Sequence, residues 1–518
     1  MRRFSMQVPV FSPVTFRVGV AALSLLATGC RVPALVQQPR AKALPATYVA
    51  AQTTDSATAT TTTPVATNLA PRDSATVADL PIGQFFPDPV LVALLDTALR
   101  QNPDLAQAAA RVQQARAELV ARRGALLPTV DAVGSAGLDR YGRYTQNGVG
   151  NFDTNFSDNI SRNQNIPNPT PDFFAGLRAS WEVDLWGKLR GLRRAAYLRM
   201  LASERGRQLV QTDLVAEVAR TYYEILATDQ ELEILTRNAQ LQARTVELSR
   251  IQKEGARATE LAVQQLLAQQ RRTEALTSEA RQRLVEAENR LNRLLGRYPQ
   301  PISRGTALLQ QAIPEQVQAG LPAGMLRRRP DIRQAEAELL ATGAEVSSAR
   351  AAFFPSLVLT PYAGVNAFRA ELLLRAPESL ALGILGNLSA PVLNRAAIRA
   401  AYGQAAARQA EAWYAFQETS LRGVEEVTTH LRGLENYRRA YGSRQQEVTA
   451  LNQAVSISDD LFLAGYANYL EVITAQRNVL DAELELVGTR QQEMEQLIEL
   501  YRALGGGWTA APLPTERR

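Results

Sequence analysis

The sequence predicts a mainly α-helical protein with a membrane-type β part, in which a pair of strands followed by a long α-hairpin occurs twice. Three observations support this fold class. Pro103-Asp104-Leu105, Leu127-Pro128 and Ala136-Gly137 recur as Pro330-Asp331-Ile332, Phe354-Pro355 and Ala363-Gly364 at a constant offset of 227 positions. A long internal duplication means one architectural unit used twice. No proline occurs between Pro171 and Pro299 or between Pro391 and Pro512, and both stretches are rich in strong helix formers. Each is preceded by two short segments with apolar residues at every second position.

The chain opens with an export address. Arg2, Arg3 and Arg17 precede the short apolar run Val18 to Leu26, which ends in Ala27-Thr28-Gly29-Cys30. Residues 1–29 read as a lipoprotein-type signal peptide, too short to span a bilayer. The Thr-Gly-Cys end resembles a bacterial lipobox, in which Cys30 becomes the lipidated first residue; the alternative is an ordinary signal with a coincidental Cys. Residues 30–80, with an Ala/Thr/Ser tract from Ala50 to Thr63, read as a lipid anchor and flexible tether.

Residues 81–300 form the first repeat: a helix, two strands and a helical hairpin. A linker follows at 301–320, then a second repeat at 321–507 and a tail at 508–518. Beyond the strands the offset falls to 209, pairing Arg190 with Arg399 and Leu295-Gly296 with Leu504-Gly505. The extra residues of the first copy lie between Gly137 and Leu185, where Arg143 to Gly148 and Asn155 to Asn168 read as a long exposed loop. In the hairpins, Leu214, Val218, Tyr222, Ile225, Leu232, Leu235 and Ala239 mark a coiled-coil stripe. Breaks are expected at Glu254-Gly255-Ala256 and Ala464-Gly465-Tyr466, where the glycines allow a tight reversal. A helix from Lys188 to Lys253 would reach roughly 100 Å, which suits a structure that crosses a gap.

In the strands, Val130, Ala132, Ala136 and Leu138 share one face, as do Phe173, Ala175, Leu177, Ala179, Trp181, Val183 and Leu185. The second copy repeats this with Leu357, Leu359, Ala363 and Val365, then Leu380, Leu382, Ile384, Leu388, Ala390 and Val392. Small or charged residues occupy the opposite face, as in membrane barrel strands. A half-buried strand of a soluble sheet has the same alternation; the export signal and the duplication favour the membrane. Pro361 demands an edge or bulge position. Four strands cannot close a barrel, and open edges are not tolerated in lipid, so several chains must complete it. Two chains leave little lumen; three supply twelve strands and a wide pore.

Composition excludes much chemistry. With His430 and Cys30 each the only residue of its kind, no His/Cys metal cluster can form and a Ser-His-Asp triad would depend on His430. There is no phosphate-binding Gly-Lys-Ser/Thr loop. No enzyme activity, cofactor or nucleic-acid partner is expected; the strongest basic run, Arg327-Arg328-Arg329, reads as a solvated turn before Pro330.

The chain resembles the outer-membrane factor family of TolC/OprM-like export channels, in particular its NodT-type lipoprotein branch. The resemblance rests on Phe85-Phe86-Pro87-Asp88-Pro89, Arg116 to Pro128, Trp181 to Lys188, Arg328 to Ile332, and Ala464 to Gln476, and covers about residues 80 to 507. It implies a homotrimer with a twelve-stranded outer-membrane β-barrel on a periplasmic α-helical barrel, in a Gram-negative cell. A periplasmic adaptor (membrane fusion protein) and an inner-membrane transporter would feed it. The resemblance also implies a periplasmic gate at the second hairpin, here formed by Glu471 with Phe462, Leu470 and Thr474. A Tyr–Arg–Asp lock is not matched, because Phe462, Ala467 and Thr474 occupy those positions. The tips Gly255, Ala256, Gly465 and Tyr466 would dock the adaptor, and an acyl lipid (palmitate and diacylglycerol) would sit on Cys30. The expected activity is passive conduction of small toxic molecules. The alternatives are protein or peptide export through the same architecture, and a lipid-anchored coiled-coil scaffold without a pore.

Overall fold

The computed structural model describes residues 80–314, 320, 322–393 and 395–508. The expected signal peptide, Cys30 and residues 31–79 of the tether lie outside the described residues, as does the tail beyond Trp508. In chain order the helices and strands are α1 (Ile82–Phe85), α2 (Pro89–Gln101), α3 (Pro103–Gly124), β1 (Thr129–Asp139), α4 (Gln146–Thr154), β2 (Thr170–Val183), α5 (Lys188–Glu254) and α6 (Glu260–Leu294). The second copy supplies α7 (Pro322–Arg328), α8 (Pro330–Ala351), β3 (Ser356–Ala367), β4 (Leu380–Ser389), α9 (Ala396–Ala464) and α10 (Tyr469–Ala503). The expected long helices are present: α5 has 67 residues and α9 has 69.

The chain divides into two compact units, and each takes matching pieces from both copies. The first consists, among the described residues, of Ala115–Met200 and Glu338–Trp413. It holds one antiparallel sheet in the order β1-β2-β3-β4. The two hairpins join through β2 and β3, where Gly176 pairs with Gly364. Pro361 is in neither an edge strand nor a bulge, contrary to expectation. It lies in the interior strand β3, opposite Ile384 of β4, and the β2–β3 ladder is interrupted there: pairing passes from Arg178↔Tyr362 to Trp181↔Leu359. A proline lacks the amide donor, so the sheet accommodates it by skipping ladder positions in register.

The expected long loop between β1 and β2 is partly ordered. Thr145 caps α4 through the Gly148 amide, and Arg162–Gln164 forms a 3₁₀ turn. Asn155 ties the segment closed, donating to the Ile166 carbonyl and accepting from its amide, both at 2.9 Å. Polar side chains that cap and bridge backbone groups let a loop-like composition form short helices.

The second unit contains α1, α2, α6, α7 and α10, with the remaining parts of α3, α5, α8 and α9. Its core includes Leu91, Leu95, Val218, Tyr222, Ile225, Leu235, Leu291 and Leu500. Asn102 caps α3 through the Asp104 and Leu105 amides and donates to the Leu294 carbonyl at 2.8 Å. Asp88, buried in the Phe-Phe-Pro-Asp-Pro stretch, accepts from the Val90 amide (2.9 Å), the Tyr222 hydroxyl (2.8 Å) and the Gln311 amide (3.0 Å). Ile302 and Leu308 of the segment read as a linker join the core, while most of its other described residues are exposed. Arg329 is no part of a solvated turn. It is 3% exposed and is held by Asp331 (2.6 Å), Glu426 (2.7 Å) and the Ala503 carbonyl (2.9 Å). Two carboxylates and a carbonyl supply the charge-assisted bonds that a buried guanidinium requires.

Candidate functional site: the sheet face and the hairpin tips

The register of the first unit brings every predicted apolar residue that lies within the strands onto one side of the sheet. Ala132 pairs with Leu177, Leu177 with Ala363, and Ala363 with Leu382, so one apolar row crosses all four strands. Further rows run through Val130 and Ala179, through Trp181 and Leu359, and through Val183, Leu357 and Leu388. This face is open: Leu382 is 66% exposed, Ile384 71% and Leu388 67%. The opposite face carries Asp131, Arg178, Glu182, Asn366 and Asn387. There the Arg178 guanidinium lies 5.3 Å from the Phe174 ring centre, a cation–π contact. Among the described residues β1 and β4 each have one neighbour only. An exposed apolar face with polar backing and two open edges is unstable in water alone.

The Trp-Glu-Val-Asp-Leu-Trp-Gly-Lys stretch ends β2 earlier than its alternation suggests, at Val183, because the next residues build a junction. Asp184 accepts from the Leu189 and Arg190 amides and so caps α5. Lys188 pairs with Glu182 at 2.6 Å. Trp181 donates to the Leu126 carbonyl (3.0 Å), and Trp186 to the Pro355 carbonyl (2.7 Å) while stacking on Phe354. β4 likewise stops at Ser389, before Ala390 and Val392.

The hairpin tips belong to the second unit. Both breaks fall where predicted, but the first does not use its glycine. Ala256 has φ +56° and Gly465 φ +80°, while Gly255 keeps a negative φ. The Arg257 amide reaches the Gln252 carbonyl (2.8 Å), and the Tyr466 amide reaches the Leu461 carbonyl (2.8 Å). Both ends are therefore Schellman turns, with Ala256 and Gly465 in the left-handed position. These two positions are 209 apart, as are the caps Thr259 of α6 and Asn468 of α10. Ala256 thus stands where glycine is favoured, and Gly255 is a helix-terminal residue with no special conformation.

Glu471, Phe462, Leu470 and Thr474 come together at the second tip. Glu471 lies in the first turn of α10 and closes a capping box: its carboxylate accepts from the Asn468 amide at 3.0 Å. It is exposed, as are Leu470 and Thr474, whose hydroxyl donates to the Leu470 carbonyl at 2.7 Å. Phe462 is half-buried and its carbonyl receives the Gly465 amide. Tyr466, Gly255 and Ala256 are exposed.

One feature of this unit is absent from the predicted stripe. Past Leu235 the buried line on α5 continues through Asn238, Gln242, Thr245 and Ser249, not through Ala239. Facing it on α10, Gln476 donates to Thr245 (3.2 Å), and Glu483 accepts from Arg237 (2.6 Å). Both amide atoms of Gln242 and the Ser249 hydroxyl have no partner. Spacings of four, three and four from Asn238 carry the signal, hidden because the residues are polar.

The family described as outer membrane efflux protein matches residues 94–297 and 321–506. The chain is 33% identical over 426 residues to the pyoverdine export outer membrane protein OpmQ of Pseudomonas aeruginosa, covering 82% of this chain and 86% of that protein. It is 30% identical to the toluene efflux pump outer membrane protein TtgI of Pseudomonas putida, over 83% of this chain and 87% of that one. The crystal structure of a membrane protein from Pseudomonas aeruginosa superimposes with a TM-score of 0.75 at 26% identity, covering 83% and 97% of the two chains. An open apolar sheet face, duplicated hairpins and these likenesses agree: the chain belongs to the outer membrane efflux protein family and is an outer-membrane channel component of an efflux system, not an enzyme.

Proposed function

We propose that three copies join β1 of one to β4 of the next, closing a twelve-stranded barrel whose apolar outside meets outer-membrane lipid. The observation that carries this is the exposed apolar row across a four-stranded sheet with both edges open. Trimeric closure satisfies the edge hydrogen bonds and buries the apolar face in one step. The Arg178 and Glu182 side would then line an aqueous lumen. Solute passes down its own gradient or under a partner's drive. A periplasmic adaptor and an inner-membrane transporter supply that drive, and Cys30 carries the lipid anchor. The naming of relatives for pyoverdine export and toluene efflux supports small molecules as cargo.

The gate lies at the second tip, where three copies of Glu471 form an acidic ring supported by Phe462, Leu470 and Thr474. Crowded carboxylates repel, so packing holds the closed state. The exposed tips at Gly255, Ala256, Gly465 and Tyr466 dock the adaptor; photo-crosslinkers at Ala256 and Tyr466 should capture it, and crosslinks confined to other sites would refute the docking. Single-channel recording tests the gate. Glu471→Gln keeps an acceptor for the capping box, so the fold should persist while cation preference falls. Unchanged conductance and selectivity would remove Glu471 from the gate.

A further inference from the structure

Within the first unit, where the helices meet the sheet, a cavity of about 580 Å³ is lined by Leu119, Arg123, Arg190, Arg193, Arg194 and Tyr197, among others. Arg123 precedes β1 on α3, and the other arginines open α5 just after β2. Nearby cations are already neutralised: Lys188 by Glu182, Arg190 by Asp184 and Arg122 by Glu118. Among the described residues, no ion pair or hydrogen bond engages the guanidinium of Arg123, Arg193 or Arg194. The amides that open α5 are capped by Asp184, so this site consists of side chains and does not depend on the helix end.

The duplication supplies an internal control. At the offset of 209, Arg193 and Arg194 correspond to Tyr402 and Gly403, and Tyr197 to Ala406. In the second copy Tyr402 is buried beside Phe353, with ring centres 6.0 Å apart. The second helix start keeps Arg399, the counterpart of Arg190, but packs without arginine at the positions of Arg193 and Arg194. Arg123 lies in the last turn of α3, where a cation is favourable, but Arg193 and Arg194 are adjacent, exposed like charges with no carboxylate partner. A local rule broken without structural gain marks a functional position. Leu127, Leu185 and Trp186 are exposed alongside, an apolar and aromatic setting like that of a bilayer boundary.

We propose that Arg123, Arg193 and Arg194 bind the phosphate headgroup of an anionic phospholipid in the periplasm-facing leaflet, with Tyr197 beside the headgroup. This rests on the reading of the sheet as a barrel wall, which puts its helix-bearing end at that leaflet. Guanidinium groups match phosphate oxygens with paired donors.

The test is native mass spectrometry of the purified full-length protein after exchange into phosphatidylglycerol, phosphatidylcholine or lipid A. Wild type should retain phosphatidylglycerol and lose phosphatidylcholine. Arg193→Gln with Arg194→Gln should lower phosphatidylglycerol retention about tenfold or more, since each surface cation strengthens anionic-lipid attraction several-fold. The Lys pair at the same positions should keep most of it. Equal retention of all lipids, preference for lipid A, or Gln variants that bind like wild type would overturn the site. So would variants that fall apart into single chains, because the arginines would then be serving a neighbouring subunit. Bilayer conductance of the same preparations separates this site from the channel reading. A wild type that conducts but keeps no phosphatidylglycerol refutes the lipid site alone; one that neither conducts nor enters a bilayer refutes both.

Discussion

The seam between β2 and β3 is where the two copies become one wall, and its tolerance can be worked out from Gly176 and Gly364. A Cβ on Gly364 would lie 2.5 Å from the Ala175 carbonyl oxygen, 2.8 Å from Gly176 Cα and 3.0 Å from the Phe174 ring. One on Gly176 would lie 2.5 Å from both the Ala363 oxygen and Gly364 Cα. Carbon and oxygen normally approach to about 3.3 Å, so Gly364→Ala must part the strands by roughly 0.8 Å. Phe174, buried beside Arg178 and Tyr362, blocks an easy sideways adjustment. Overpacking of this kind costs about 1–3 kcal/mol. The apparent thermal midpoint of the detergent-extracted protein, followed by circular dichroism, should therefore fall for Gly364→Ala. Gly134→Ala is the control, since a Cβ there meets nothing within 4 Å. The double change Gly176→Ala with Gly364→Ala should cost less than the sum, because one widening relieves both clashes. A Gly364→Ala protein as stable as Gly134→Ala would refute the close seam.

Three further outcomes follow from particular residues. Ala256→Gly should slow amide exchange at the first tip, gaining about 1 kcal/mol by relieving the left-handed alanine; faster exchange would contradict that conformation. Asp88→Ala should cost about 2–4 kcal/mol, because it strips the acceptor from the Tyr222 hydroxyl and the Gln311 amide. Burial and the Asp88 carboxylate keep that hydroxyl protonated far above the usual tyrosine range, so it remains a donor, and limited proteolysis within residues 301–314 should accelerate in the variant. Gln242→Leu should raise the thermal midpoint, since an amide 1% exposed and without partners carries a desolvation cost of about 1–3 kcal/mol; a lower midpoint would show that the amide is bonded.

The strands and hairpins are legible in the sequence because both are periodic and both are written twice. Ala132, Leu177, Ala363 and Leu382 could be assigned to one face before any pairing was known. What escapes is set by three-dimensional neighbours. Arg329 resembles a surface charge until Asp331 and Glu426 surround it. Pro361 suggests an edge, yet the interior ladder skips past it. Gly255 invites a turn, but the turn forms at Ala256 because the hairpin keeps the same spacing in both copies. The polar line through Gln242 breaks the rule that buried stripes are apolar, and α4 forms in a stretch whose composition signals only loop. The tip residues around Glu471 are local in sequence and were identifiable; how three copies arrange them depends on contacts a single chain does not contain.

The central claim is that one chain provides only a third of a membrane wall. The mass of the protein extracted from outer membranes, corrected for bound detergent, tests it most directly. Three copies per particle are predicted, giving a particle that conducts ions across a planar bilayer. A single copy that stays in solution without detergent would contradict it.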